Sequence, residues 1–384
     1  MNKIEIEGQI RDLISAVRRE EVPPGVAIRQ VDRTLRTFRR VALTGQEDAY
    51  TLRVLLGVGE SYEMLSSFDK ALAVYDEAIA LARQLKDRAT EADLLRQSGR
   101  VFHKRNRWED ALGRMQASRA IYEELGDESG AARCRVGEAS VDFSRGRYPA
   151  AEDTYLAALE TAERIEDRQT VAGVTLNLGI LANIRGDFDE ALLRFQKSLG
   201  TFEQLEKPGS IARLYYNLGV CHSSRKQWKE ALDAFERSLE ISYDTGNIRQ
   251  AAMVHVHKAA VFLGLGDSSV TATLCARAIE TFQEIDFPLG IAEAYKVLGR
   301  LYTGKGEWAT AQGLLEEGLG ICEEYDDALG RSEMHRDLGN LYAARQDPSG
   351  AGTAYRAALE GFETLGASYE AEATQTLLAS VQAS

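Results

Sequence analysis

The chain has 384 residues, 44% of them hydrophobic and 27% charged, with a formal net charge of −13. So acidic a balance argues against nucleic-acid binding, which needs a basic footprint. The N-terminus Met1-Asn2-Lys3-Ile4-Glu5-Ile6-Glu7 lacks the apolar core of a secretory signal, and no apolar run nears the roughly 18 residues of a membrane span.

Residues 4–20 and 26–43 read as two helices around Pro23-Pro24-Gly25. They form a degenerate zeroth repeat, an N-terminal cap over residues 1–49. Residues 50–367 then carry one pattern eight times, each step 40 residues long without insertion or deletion. A small residue recurs at Gly59, Gly99, Ala139, Gly179, Gly219, Ala259, Gly299 and Gly339. Nine residues later stands Phe68, Trp108, Tyr148, Phe188, Trp228, Ser268, Trp308 or Pro348. Sixteen after the small residue comes Tyr75, Met115, Tyr155, Phe195, Phe235, Cys275, Leu315 or Tyr355.

This spacing describes two antiparallel helices per repeat. Ala71, Tyr75, Ala78 and Ile79 share one helical face, as an amphipathic helix requires. The small residue lets the paired helix approach. Leu125-Gly126-Asp127 and Thr245-Gly246-Asn247 end one helix with glycine and offer an N-cap to the next. Asp347-Pro348 reads as an N-cap followed by proline at the first helical position. Residues 368–384, with Leu378-Ala379, supply a final helix that shields the last repeat from water.

These residues resemble the tetratricopeptide repeat over positions 52 to about 367, in a 40-residue variant similar to repeats of Pins/LGN scaffolds, kinesin light chains, and Rap and MalT-type regulators. The resemblance implies an all-α, right-handed superhelical solenoid of antiparallel helix pairs. Its first helices line a concave surface used for recognition. The expected function is a cytoplasmic scaffold or adaptor that takes a peptide-like segment of another protein in this groove. A ligand- or peptide-responsive sensor and a self-assembling structural protein are the alternatives.

In that geometry a basic cluster, Arg96, Arg100, Lys104 and Arg133, stands out in an otherwise acidic chain. An apolar stretch follows through Phe143, Leu176, Ile180, Tyr216, Val220, Val256 and Leu263, with Asn183 and Arg213 on the same face and Glu293, Lys296, Arg300, Arg336 and Asn340 continuing it in the last two repeats. Together they suit a partner segment with acidic residues at one end and apolar anchors at the other. Asn177 and Asn217 each precede Leu-Gly; they either grip a peptide backbone or bond neighbouring repeats.

Departures from the pattern occur in repeat three (Glu138, Asp142) and in repeat six (Lys258, Ser268, Thr271), where drift is the simplest reading. Catalysis is not expected, and neither is a cofactor. His255 and His257, two residues apart on a helix, diverge and make a poor metal chelate. Gly264-Leu265-Gly266-Asp267-Ser268-Ser269 lacks the order of a phosphate-binding loop. Cys134, Cys221, Cys275 and Cys322 form no CxxC pair and read as packed, reduced thiols of a cytoplasmic protein. A homo-oligomer is compatible with the sequence.

Overall fold

The computed structural model describes residues 24–42, 49–65 and 67–382, together with Gly8. Helix α1 (Pro24–Ala42) precedes eight pairs. These are α2 (Ala49–Met64) with α3 (Phe68–Leu85), α4 (Arg88–Lys104) with α5 (Trp108–Leu125), α6 (Glu128–Ser144) with α7 (Tyr148–Arg164), and α8 (Arg168–Arg185) with α9 (Phe188–Gln204). They continue as α10 (Pro208–Ser224) with α11 (Trp228–Asp244), α12 (Ile248–Gly264) with α13 (Ser268–Glu284), α14 (Pro288–Lys305) with α15 (Trp308–Glu324), and α16 (Ala328–Ala344) with α17 (Pro348–Leu365). Helix α18 (Ser368–Gln382) follows. The fold is an all-α solenoid of tandem helix pairs. The helix expected over 4–20 lies outside the described residues; its expected partner is α1, with Val31 and Leu35 buried.

The small residue of each first helix faces the large one sixteen positions on. A Cβ built on Gly59 would lie 2.4 Å from Tyr75, and one on Gly179 2.7 Å from Phe195. The 40-residue step also governs the backbone of the turns. Left-handed residues recur at Lys86, Gly126, Glu166, Glu206, Gly246, Asp286, Asp326 and Gly366 between repeats. Within repeats they recur at Asn106, Gly146, Gly186, Lys226, Gly266, Gly306 and Gln346. The expected caps form: Asp127, Asn247 and Asp347 accept from the amides of Gly130, Gln250 and Gly350 at 2.8, 3.1 and 2.9 Å.

Buried hydroxyls follow the same register. Ser118, Ser198 and Ser238 donate from second helices to Ala92, Ala172 and Ala212 carbonyls of first helices at 2.7–2.8 Å. The departures in repeat six are also satisfied. Thr271 is buried with its hydroxyl 2.8 Å from the Asp267 carbonyl, and Lys258 pairs with Glu236.

The chain divides into two compact units: residues 1–141 with 154–170, and residues 142–153 with 171–384. The division falls within repeats three and four, beside Asp142. In the second unit first helices of successive repeats also pack on one another, α10 on α12, α12 on α14 and α14 on α16. That contact puts the first helices on the inner side of the stack.

Candidate functional site

In the first unit, the predicted basic residues are each held by a neighbour. Arg96 donates to Asp93 at 3.0 Å. Arg100 and Lys104 converge on Glu63, at 3.3 and 2.6 Å. Burial works against the charge on Glu63, but Lys104 and Arg100 hold its carboxyl below the usual range. Arg133 bonds the Ser129 hydroxyl at 2.8 Å and lies 3.8 Å from Asp167. The cluster therefore presents ion pairs and not free positive charge.

In the second unit, Phe143 and Tyr148 stack at a tilt with centroids 5.1 Å apart. Ile180 and Val220 are half-buried at the edges of the hydrophobic core. Leu176 is a correction to the predicted groove residues. It is fully buried in the cluster around Phe195 and Leu214 and packs between helices. Its register position admits only a long side chain to the inner face, as at Tyr216, because a short one ends inside the pair.

The two asparagines bond protein groups. Asn177 accepts from Arg213 at 2.8 Å, across neighbouring repeats. Asn217 donates to the Arg213 carbonyl of its own helix at 2.7 Å. Asn183 is half-buried, and its side-chain oxygen is buried without a hydrogen-bond partner.

Tyr216 begins a row of polar side chains on the first helices. Its hydroxyl lies 2.8 Å from His257 Nε2, the rings meeting edge to face. His255, as expected, points elsewhere, to the Tyr243 hydroxyl at 3.0 Å. Burial lowers the pKa of both imidazoles and keeps them neutral.

Further along, Lys296 bonds Glu293 at 2.8 Å and also Glu333. Arg300 donates to Asp337 at 2.6 Å, and Arg336 pairs with Glu370. Burial alone would neutralise Lys296, yet the carboxylates of Glu293 and Glu333 hold its proton above the ordinary lysine range. Burial likewise opposes the charge on Glu333, and Lys296, Arg336 and Arg300 overcome it.

The sequence places Val256, Leu263, Glu293, Lys296, Arg300, Arg336 and Asn340 on the same face beyond Val220, but gives His257 and Glu333 no role there. The 40-residue register carries the signal for the remainder, since 216, 256, 296 and 336 are one position, as are 213, 253, 293 and 333. What the register does not show is that these side chains bind each other. The strip sets hydrogen-bonding side chains and ion pairs along one wall of helices.

Comparison with known proteins supports this reading of the fold. No curated protein sequence matches significantly. Among solved structures, the Rap conjugation gene regulator of plasmid pLS20, in complex with a Phr peptide, superposes with a TM-score of 0.64 at 14% identity, covering 82% of this chain and 95% of that one. NprR in complex with its cognate peptide NprX gives 0.60 at 14% identity, with 93% and 99% covered. A Rap protein complexed with Competence and Sporulation Factor gives 0.59 at 16%, with 86% and 97% covered. At such identities the likeness is one of fold. The tetratricopeptide repeat pattern itself matches residues 49–124, 90–164, 130–204 and 170–244, together just over half of the sequence. With those matches lying on the helix pairs described above, the chain belongs to the tetratricopeptide repeat family.

Proposed function

We propose that this protein is a peptide-binding adaptor or sensor that works by recognition and not by catalysis, in the cytoplasm. The observation that carries the reading is the strip Tyr216–His257–Lys296–Glu333, a row of polar groups running along the inner helices of four successive repeats. A peptide laid across such a row meets hydrogen-bonding partners at regular intervals, flanked by the apolar edges of Ile180 and Val220. The similar Rap and NprR structures were solved with peptides bound, which supports the same class of ligand here.

The first unit contributes differently. Carboxylates on an acidic partner segment would exchange with Asp93, Glu63 and Asp167 for Arg96, Arg100, Lys104 and Arg133. Because those cations are already paired, this adds selectivity more than affinity.

Selection of a displayed random-peptide library on the immobilised protein tests the proposal. Peptides recovered on the wild type should bind at least about tenfold more weakly to a folded Tyr216→Ala/Lys296→Ala variant, a loss of about 1.4 kcal/mol. Equal binding to both proteins, or no enrichment at all, would overturn the assignment of the strip.

A further inference from the structure

Two turns of the second unit lie against its C-terminal end. A Cβ on Gly146 would fall 2.3 Å from a Leu365 methyl carbon and 3.4 Å from the Ala328 side chain. One on Gly186 would fall 2.8 Å from Tyr369 Cβ. Two residues on, Phe188 meets Tyr369 edge to face with centroids 5.1 Å apart. These contacts join residues about two hundred positions apart in sequence, so they are not part of the nearest-neighbour stacking that builds a repeat array.

The contact is specific to these turns. Gly266 occupies the same register position, also with positive φ, and a Cβ there meets nothing within 4 Å. Likewise Leu365 is 3% exposed, whereas Leu85 and Leu125, its register equivalents in the first unit, are 39% and 49% exposed.

The inner strip behind the contact is enclosed. Tyr148, two residues past Gly146, is buried, and its phenol is pushed up by burial and by nearby Asp327 and Glu333. At one register position the side chain of Asp93 in the first unit is 52% exposed, but Glu293 and Glu333 are only 25% and 19% exposed. Lys296 is 6% exposed although its charge belongs to the groove wall.

We propose that the segment Leu365–Tyr369, docked on the Gly146 and Gly186 turns, is a gate that closes the inner strip of the second unit, and that ligand exchange requires this dock to open. At the edge of the dock Tyr369 remains 41% exposed. A ligand that binds only the open form would shift the population toward it, which is what a sensor needs. The purpose of the gate rests on the proposed groove function, but its existence does not and can be measured without any ligand.

Asparagine tolerates the left-handed turn, as Asn106 shows at the same register position with φ of 55°. Gly146→Asn and Gly186→Asn therefore add a side chain where the dock sits, while Gly266→Asn makes the same change in an open turn. Tyr369→Ala weakens the dock without altering a turn. The readout is the rate at which an N-hydroxysuccinimide ester acylates Lys296, followed by mass spectrometry and normalised to exposed Lys207 and Lys226 in proteins whose circular dichroism is unchanged.

The two dock glycine variants and Tyr369→Ala should acylate Lys296 about tenfold faster than wild type, as expected when an open state of about 10% becomes dominant. Gly266→Asn should match wild type. Equal rates in every protein would overturn the gate, as would wild-type Lys296 reacting like Lys207. Acceleration by Gly266→Asn would assign the effect to turn strain and also overturn it. Failure of the peptide selection with these rates as expected would leave the gate standing and remove only its proposed ligand.

Discussion

Gly219 and Phe235 approach so closely that a Cβ on the glycine would lie 2.5 Å from two ring carbons. Alanine is the better helix former by about 0.9 kcal/mol, so propensity alone favours replacing Gly219. Overpacking a core costs about 1–3 kcal/mol, and Phe235 is fully buried with no room to retreat. Gly219→Ala should therefore destabilise the protein. Gly313, inside α15 with nothing within 4 Å of its Cβ position, should behave oppositely, Gly313→Ala stabilising by about 0.9 kcal/mol. Urea unfolding midpoints of the two variants check the pair. Movement in the same direction would show that contact with the second helix does not set the residue.

The Gly219–Phe235 pair was legible as a sixteen-residue spacing because packing of adjacent helices is local and repeats eight times. Turn positions, caps and the inner-facing register were legible for the same reason. The pairing of Lys296 with Glu293 and Glu333 was not. Lys296 touches Glu333 only because two first helices stack at one particular rotation, and charge type at a position carries no sign of its partner. The Leu365–Gly146 contact was further out of reach. It joins distant repeats through the accumulated pitch of the array, which no single spacing encodes. Leu176 was misplaced because the register fixes a direction but not how far a side chain reaches along it.

The left-handed turns offer a separate test. Glu206 and Lys226 hold φ of 51° and 58°, at register positions where Gly126 and Gly146 hold 70° and 72°. An L-residue with a Cβ pays about 1–2 kcal/mol for this backbone, offset in part by the greater freedom of glycine in the unfolded chain. Glu206→Gly and Lys226→Gly should each stabilise by about 0.5–1 kcal/mol. Thermal melts that fall on either substitution would show that the side chain contributes more than the turn costs.

Part of the acid sensitivity should be traceable to His255. Burial pulls His255 from 6.5 down to about 4, so the folded protein keeps it neutral where the unfolded chain takes up a proton. The unfolded state then binds more protons below pH 6.5, and stability present above that pH is lost as pH falls toward 4. Allowing for residual solvent, the loss is about 2 kcal/mol. His255→Phe should flatten the decline of melting temperature between pH 6.5 and 4. An unchanged slope would move the acid sensitivity to other groups.

Lys296 is a buried charge of the inner strip, held by Glu293 and Glu333 from two successive repeats. Removing one partner of a buried pair costs about 3–5 kcal/mol when nothing replaces it. Glu293 remains after Glu333→Gln, so that variant should lose less, about 2 kcal/mol. The double variant Lys296→Met/Glu333→Gln leaves no uncompensated cation and, with only the partly exposed Glu293 unpaired, should recover part of the loss. If the two substitutions were additive in denaturant unfolding, Lys296 and Glu333 would not be coupled, and the strip would be a row of separately solvated charges instead of a preformed ladder. Recovery by the double variant combined with loss of peptide binding would separate the two roles: the ladder would contribute little to folding and would persist for what it recognises.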